Sequence, residues 1–126
     1  MKLVDTDVLI WYMRGNENAK QVIDDQPGFG ISVVTYMELV QGLRNKRELV
    51  ALRTSLRNWQ TKIFYITEDI SAKAMFYVEQ HYLSHSVQLA DALIGATSVT
   101  TGLPLLTANV KHYQAIKEIE LEKFKP

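Results

Sequence analysis

Hydrophobic positions fall along this chain in two alternating rhythms: short apolar runs, and longer stretches in which apolar residues return every three or four places. The first rhythm predicts buried strands and the second amphipathic helices. Residues 2–4 read as a strand, and Val8, Leu9, Trp11, Tyr12 and Met13 as a helix that stops near Gly15. Residues 17–25 predict a second short helix, closed by Pro27-Gly28. Residues 30–32 make a minimal strand, and Ser32 can cap a helix carrying Tyr36, Glu38, Leu39 and Val40 up to Gly42. Leu49, Leu52, Leu56 and Trp59 mark a long helix over 47–59. A strand over 64–66 and a helix over 69–82 follow. Ser86 opens a long helix running through Thr100, with Gly102 just beyond it. Strands over 104–106 and 119–121 complete the pattern. Short strands alternating with helices imply an α/β fold, a three-layer α/β/α sandwich around a short parallel sheet. Ligands of such sheets bind at the carboxyl ends of the strands. Asp5 follows one such end, and Ser32 and Thr107 sit at two others.

Composition narrows the picture. The 126 residues suffice for one domain with its own core, over 1–126, and a 47% hydrophobic content excludes disorder. The absence of cysteine excludes a disulfide framework and a thiolate zinc site, and fits a reducing compartment. The segment MKLVDTDVLI is broken by two aspartates, so it reads as neither a signal peptide nor a membrane span, and a cytoplasmic location is expected. Net charge is zero, which gives no global attraction to a polyanion. Charge is nevertheless segregated: Arg44, Lys46, Arg47, Arg53 and Arg57 face a single Glu48 in that stretch.

Three carboxylates stand in apolar surroundings. Asp91 lies in Gln88-Leu89-Ala90-Asp91-Ala92-Leu93-Ile94-Gly95-Ala96, a helix apolar nearly all round and therefore buried. A buried carboxylate costs several kcal/mol unless it is paired or binds a metal, and no Lys or Arg lies within a turn of Asp91. Asp5 ends a strand, where it can also cap the following helix, with Asp7 favourable in the first turn. Glu38 sits between Met37 and Leu39, on an amphipathic helix. Two carboxylates about 5 Å apart repel by roughly 3 kcal/mol at an effective dielectric near 20. A cluster of them calls for a cation, and oxygen-only ligands favour Mg²⁺ or Mn²⁺ over zinc. Acids holding such ions activate water and stabilise charge on a phosphate. The sequence contains no cysteine nucleophile, G-x-S-x-G elbow or P-loop. His81 and His85 stand at i, i+4 spacing but lack a third ligand, and read as surface histidines.

At these residues the chain resembles the PIN-domain nucleases, and among them the VapC-type toxins of bacterial toxin–antitoxin pairs. Four stretches carry the resemblance in order: Val4-Asp5-Thr6-Asp7-Val8-Leu9-Ile10, Ser32-Val33-Val34-Thr35-Tyr36-Met37-Glu38-Leu39-Val40-Gln41-Gly42, Leu89-Ala90-Asp91-Ala92-Leu93-Ile94-Gly95-Ala96 and Leu105-Leu106-Thr107-Ala108-Asn109. The resemblance implies a PIN-like fold, Mg²⁺-dependent RNA cleavage, a homodimer and inhibition by a VapB-like antitoxin. The family's metal-binding acids fall on Asp5, Glu38 and Asp91. Many members carry a fourth acid near Asn109; here an amide stands there, with His112 shortly after, and one negative charge is lost. Thr6, Thr107 and Asn109 are candidates to orient the acids. Arg44, Lys46 and Arg47 are candidate RNA contacts. Trp11, Tyr12 and Met13 are three large apolar residues in succession, so at least one should face outward, toward an antitoxin or a second copy. Two other readings remain at this stage: a non-enzymatic PIN-like interaction module, suggested by Asn109, and a haloacid-dehalogenase-type phosphatase using Asp5 as nucleophile.

Overall fold

The computed structural model describes residues 1–84 and 87–126. Five strands form one parallel sheet: β1 (Leu3–Val4), β2 (Gly30–Ser32), β3 (Lys62–Phe64), β4 (Leu105–Thr107) and β5 (Leu121–Lys123), in the order β3-β2-β1-β4-β5. Among the described residues, six α-helices lie between them: α1 (Thr6–Met13), α2 (Glu17–Asp24), α3 (Val33–Gln41), α4 (Lys46–Asn58), α5 (Glu68–His81) and α6 (Leu89–Thr101).

Period-two alternation in the central strands sorts the core into two layers. Leu3 and Leu105 point into one apolar cluster with Ile70, Ala74, Ala92 and Ile94 of α5 and α6. Their neighbours Val4 and Leu106 point the other way, against Val8, Leu9, Ile23, Leu52 and Leu56 of α1, α2 and α4. The sheet is covered on both faces, as the alternation of strands and helices predicts.

Two strands sit two residues away from their predicted places. β3 is Lys62–Phe64 rather than 64–66, because Gln60 adopts a left-handed φ of 56° just after the α4 cap and the chain pairs at once, Lys62 opposite Gly30. Tyr65, inside the predicted strand, is 70% exposed. β5 is Leu121–Lys123 rather than 119–121: Ile119 is buried against α6, where a Cβ on Gly95 would stand 2.8 Å from its side chain. The missing methyl lets the two segments close. α6 begins at Leu89, and Ser86, the predicted start, lies outside the described residues, as does His85. His81 is buried, which corrects its reading as a surface histidine. It falls on the inner face of α5 with Ala74 and Tyr77. Among the described residues no helix is long and apolar enough to cross a membrane.

Candidate active site

The carboxyl ends of β1, β2 and β4 open toward one place, where α1, α3 and α6 begin. Each helix start owes its position to a polar residue closing a strand or a loop. Asp5 ends β1 and caps α1, its Oδ1 accepting the Thr6 N–H at 2.8 Å. Ser32 ends β2 and caps α3, accepting the Val34 N–H. Asp91 lies in the first turn of α6 and accepts a long 3.4 Å hydrogen bond from the Gln88 N–H. The local role of each acid, capping, and its place in a shared site are compatible.

Asp5 is 6% exposed. Its Oδ2 accepts hydrogen bonds from the Thr107 hydroxyl at 2.8 Å and the Tyr113 hydroxyl at 3.0 Å. Burial, and then the nearby Asp7 carboxylate, push its pKa up to about 7, against the pull of these donors. Asp7 is drawn into the same corner. Its Oδ2 accepts the Ala108 N–H at 3.0 Å, and burial raises its pKa as well. Its Oδ1 is buried and has no hydrogen-bond partner. Burial also raises Asp91, opposed by His112, whose Nδ1 is 3.8 Å from Asp91 Oδ2, while Glu38 adds repulsion.

Glu38 is tied to the α1 end through Thr6. The Thr6 hydroxyl stands 2.7 Å from Glu38 Oε1 and 2.9 Å from the Thr35 hydroxyl. A hydroxyl has one proton to give, and an ionised carboxylate only accepts, so Thr6 donates to Glu38 and Thr35 donates to Thr6. Thr35 is fully buried. The Thr6 and Thr107 hydroxyls thus each reach one of the candidate acids, Glu38 and Asp5. Asn109 is exposed, and its backbone N–H donates to Thr107 Oγ1 at 3.0 Å. With the Ala108 N–H on Asp7, this segment brings two backbone donors to the corner.

The sequence reading gave Asp7 only a place in the first helical turn, and gave Thr35 and Tyr113 no role. Asp7 could have been found from its spacing, two residues after Asp5. Tyr113 could not: it stands between His112 and Gln114 with nothing in its spacing to mark it, and only folding brings its hydroxyl across 108 residues to Asp5.

Around the candidate metal ligands Asp5, Glu38 and Asp91, the donors are all oxygen, which suits a hard divalent cation. They are linked in pairs, through Thr6 and by the mutual influence of Glu38 and Asp91. Among the described residues no three acidic or histidine side chains stand close enough to cage an ion as placed. The basic candidates stand apart. Lys46 and Arg47 are exposed at the start of α4, and Arg44 donates to Glu48 at 2.8 Å. Of the apolar trio on α1, Tyr12 packs edge-on against Trp59 at 4.9 Å, Met13 is 52% exposed, and Arg14 lies over Trp11.

A profile of the PIN domain matches residues 2–118. The ribonuclease VapC10 of Mycobacterium tuberculosis is 35% identical, over 95% of this chain and 91% of the relative. The ribonuclease VapC1 of Methanocaldococcus jannaschii is 29% identical, over 95% and 84%. Among solved structures, a toxin-antitoxin complex from Klebsiella pneumoniae is 30% identical with a TM-score of 0.75, covering 94% of this chain and 95% of that one. DNA-bound VapBC from Salmonella typhimurium, at 20% identity and a TM-score of 0.82, covers 98% of each chain and shares the fold. This chain belongs to the PIN-domain family, on its VapC ribonuclease branch.

Proposed function

We propose that this protein is the endoribonuclease toxin of a toxin–antitoxin pair, cleaving RNA at the strand-end carboxylates with Mg²⁺ or Mn²⁺ held by Asp5, Glu38 and Asp91. The observation that carries the reading is the state of Asp5. It is buried, raised by Asp7, and among the described residues it has no Lys or Arg ion-pair partner. An acid left in that condition is poised for a cation from outside the chain. A bound divalent ion supplies Lewis acidity toward a phosphate oxygen and a water of lowered pKa. The chain's own part is to hold the acids. Thr107 fixes Asp5, Thr6 fixes Glu38, and the first turn of α6 fixes Asp91. Preorganised carboxylates of this kind need no reorganisation at the moment of reaction.

Incubation with single-stranded RNA tests the reading. Cleavage should require Mg²⁺ or Mn²⁺ and stop with EDTA. Cleavage that persists in EDTA, or no cleavage at all, contradicts it; the second result favours the non-enzymatic module. A phosphatase using Asp5 would form a phosphoenzyme, and none is expected.

The antitoxin reading has a surface to act on. A cavity of about 280 Å³ between α1, α3 and α4 is lined by Tyr12, Met13, Leu39, Leu43 and Trp59. A second, also about 280 Å³, shares Met13 and Leu39 and reaches Glu38. The two share a wall and lead from an apolar groove to Glu38, beside Arg14. A partner segment with apolar side chains in the groove and an Arg reaching the carboxylates fits this path. Met13→Asp should weaken such a complex far more than it lowers cleavage. The expected homodimer has a candidate face of its own in exposed Met75 and Phe76 on α5, and sedimentation of the purified protein tests it.

A further inference from the structure

We infer that Tyr113 is a positioning residue of the carboxylate site, whose buried hydroxyl fixes Asp5 so that Oδ1 alone is left to face a cation. The inference rests on the reading of Asp5 as a metal ligand.

Hydrogen-bond capacity supplies the first step. Each carboxylate oxygen offers two in-plane lone pairs. Asp5 Oδ2 has both filled, by the hydroxyls of Thr107 at 2.8 Å and Tyr113 at 3.0 Å. Oδ1 has one filled, by the Thr6 N–H at 2.8 Å. One lone pair on Oδ1 remains, so Asp5 offers a cation one oxygen in a fixed direction. Without Tyr113 the carboxylate regains a free lone pair on Oδ2 and the freedom to turn.

The second step is the rigidity of the donor. Tyr113 has no exposed surface. Its backbone is held by the short 3₁₀ turn Val110–His112, with the Tyr113 N–H on the Val110 carbonyl. Its ring edge lies 3.7 Å from where a Cβ of Gly95 would be, against α6. The hydroxyl therefore arrives from a ring packed on all sides and has no water to turn to. Its influence also extends to Asp91, whose charged form it favours weakly. With one proton, it serves one acid at a time, and the short contact goes to Asp5.

Tyr77 provides the internal control. It is as deeply buried, and its hydroxyl also donates to a carboxylate, Glu118 Oε1 at 3.1 Å. Glu118, however, is paired with Lys73 and half-exposed. One buried tyrosine orients an acid of the site, and the other ties a surface acid to the core.

Calorimetric titration with MgCl₂ tests the inference on Tyr113→Phe and Tyr77→Phe, both of which keep the ring. Tyr113→Phe should lose roughly tenfold or more in Mg²⁺ affinity, the size of effect seen when partners of metal ligands are removed. Tyr77→Phe should bind as wild type. Equal affinity in all three proteins, or equal losses in both variants, overturns the inference and leaves the metal reading standing. No Mg²⁺ binding by wild type overturns both. A nuclear-magnetic-resonance titration of the wild-type protein needs no variant to fold: Mg²⁺ should shift the ring signals of Tyr113 more than those of Tyr77, and equal or absent shifts contradict the inference.

Discussion

Acids in this molecule live under two regimes. On the surface, Glu48 lies 2.8 Å from the Arg44 guanidinium and Glu118 lies 3.3 Å from the Lys73 ammonium. At the carboxyl ends of the strands, Asp5, Asp7 and Glu38 are met by hydroxyls and backbone N–H groups instead, and Asp91 by a histidine. Hydroxyl and amide donors orient a carboxylate without cancelling its charge, whereas Lys or Arg does both. The surface acids are finished within the chain. The strand-end acids are held in place with no Lys or Arg ion pair among the described residues, and burial and their neighbours press Asp5 and Asp91 toward protonation. The difference sets the strand ends apart as the place where the described residues leave several acids without a Lys or Arg of their own.

The sharpest way to break the comparison is to remove charge on each side of it. Asp5→Asn, Glu38→Gln and Asp91→Asn should each lower RNA cleavage by about a thousandfold or more, measured at saturating Mg²⁺, if these acids provide the metal and acid–base chemistry. Asp91→Asn should meanwhile fold as stably as wild type in EDTA, or more so, because it deletes a carboxylate that burial disfavours. A large loss of stability in urea melts would make Asp91 a structural residue.

The pH dependence of the metal-free protein comes next in size. The folded pKa of Asp5, about 7, lies above its ordinary value of 3.8. The protonated folded form therefore contributes stability that is complete below about pH 4 and is lost as pH rises toward 7, by a few kcal/mol at most. Urea melts in EDTA should show this decline in wild type, and Asp5→Asn should flatten it. Mg²⁺ should restore the loss at neutral pH, adding roughly 2.7 kcal/mol at a hundredfold excess over Kd. The smallest effect belongs to the surface. Glu118→Gln should cost about 1 kcal/mol or less and leave cleavage unchanged, since it removes a half-exposed ion pair far from any site role.

Much of this arrangement was legible before folding. The layer order followed from the alternation of apolar runs with helical spacing, and the capping residues Asp5 and Ser32 fixed where α1 and α3 begin. The strands slipped where short-range geometry decided: the left-handed Gln60 set β3 early, and the close approach at Gly95 drew Ile119 out of the sheet. Asp5, Glu38 and Asp91 stood out because a carboxylate among apolar neighbours is costly. Thr35 and Tyr113 did not: Thr35 sits in the apolar run of α3, Tyr113 stands between the polar His112 and Gln114, and their roles depend on partners 29 and 108 residues away. Asn109, singled out for its side chain, reaches the site here through its backbone N–H, which donates to Thr107.

The central claim is that Asp5, Glu38 and Asp91 together hold a divalent cation. Crystals grown with Mn²⁺ and measured at its absorption edge test this most directly. The account predicts an anomalous peak bounded by the carboxylates of Asp5, Glu38 and Asp91, on the Oδ1 side of Asp5. A peak elsewhere, or none at millimolar Mn²⁺, would contradict it.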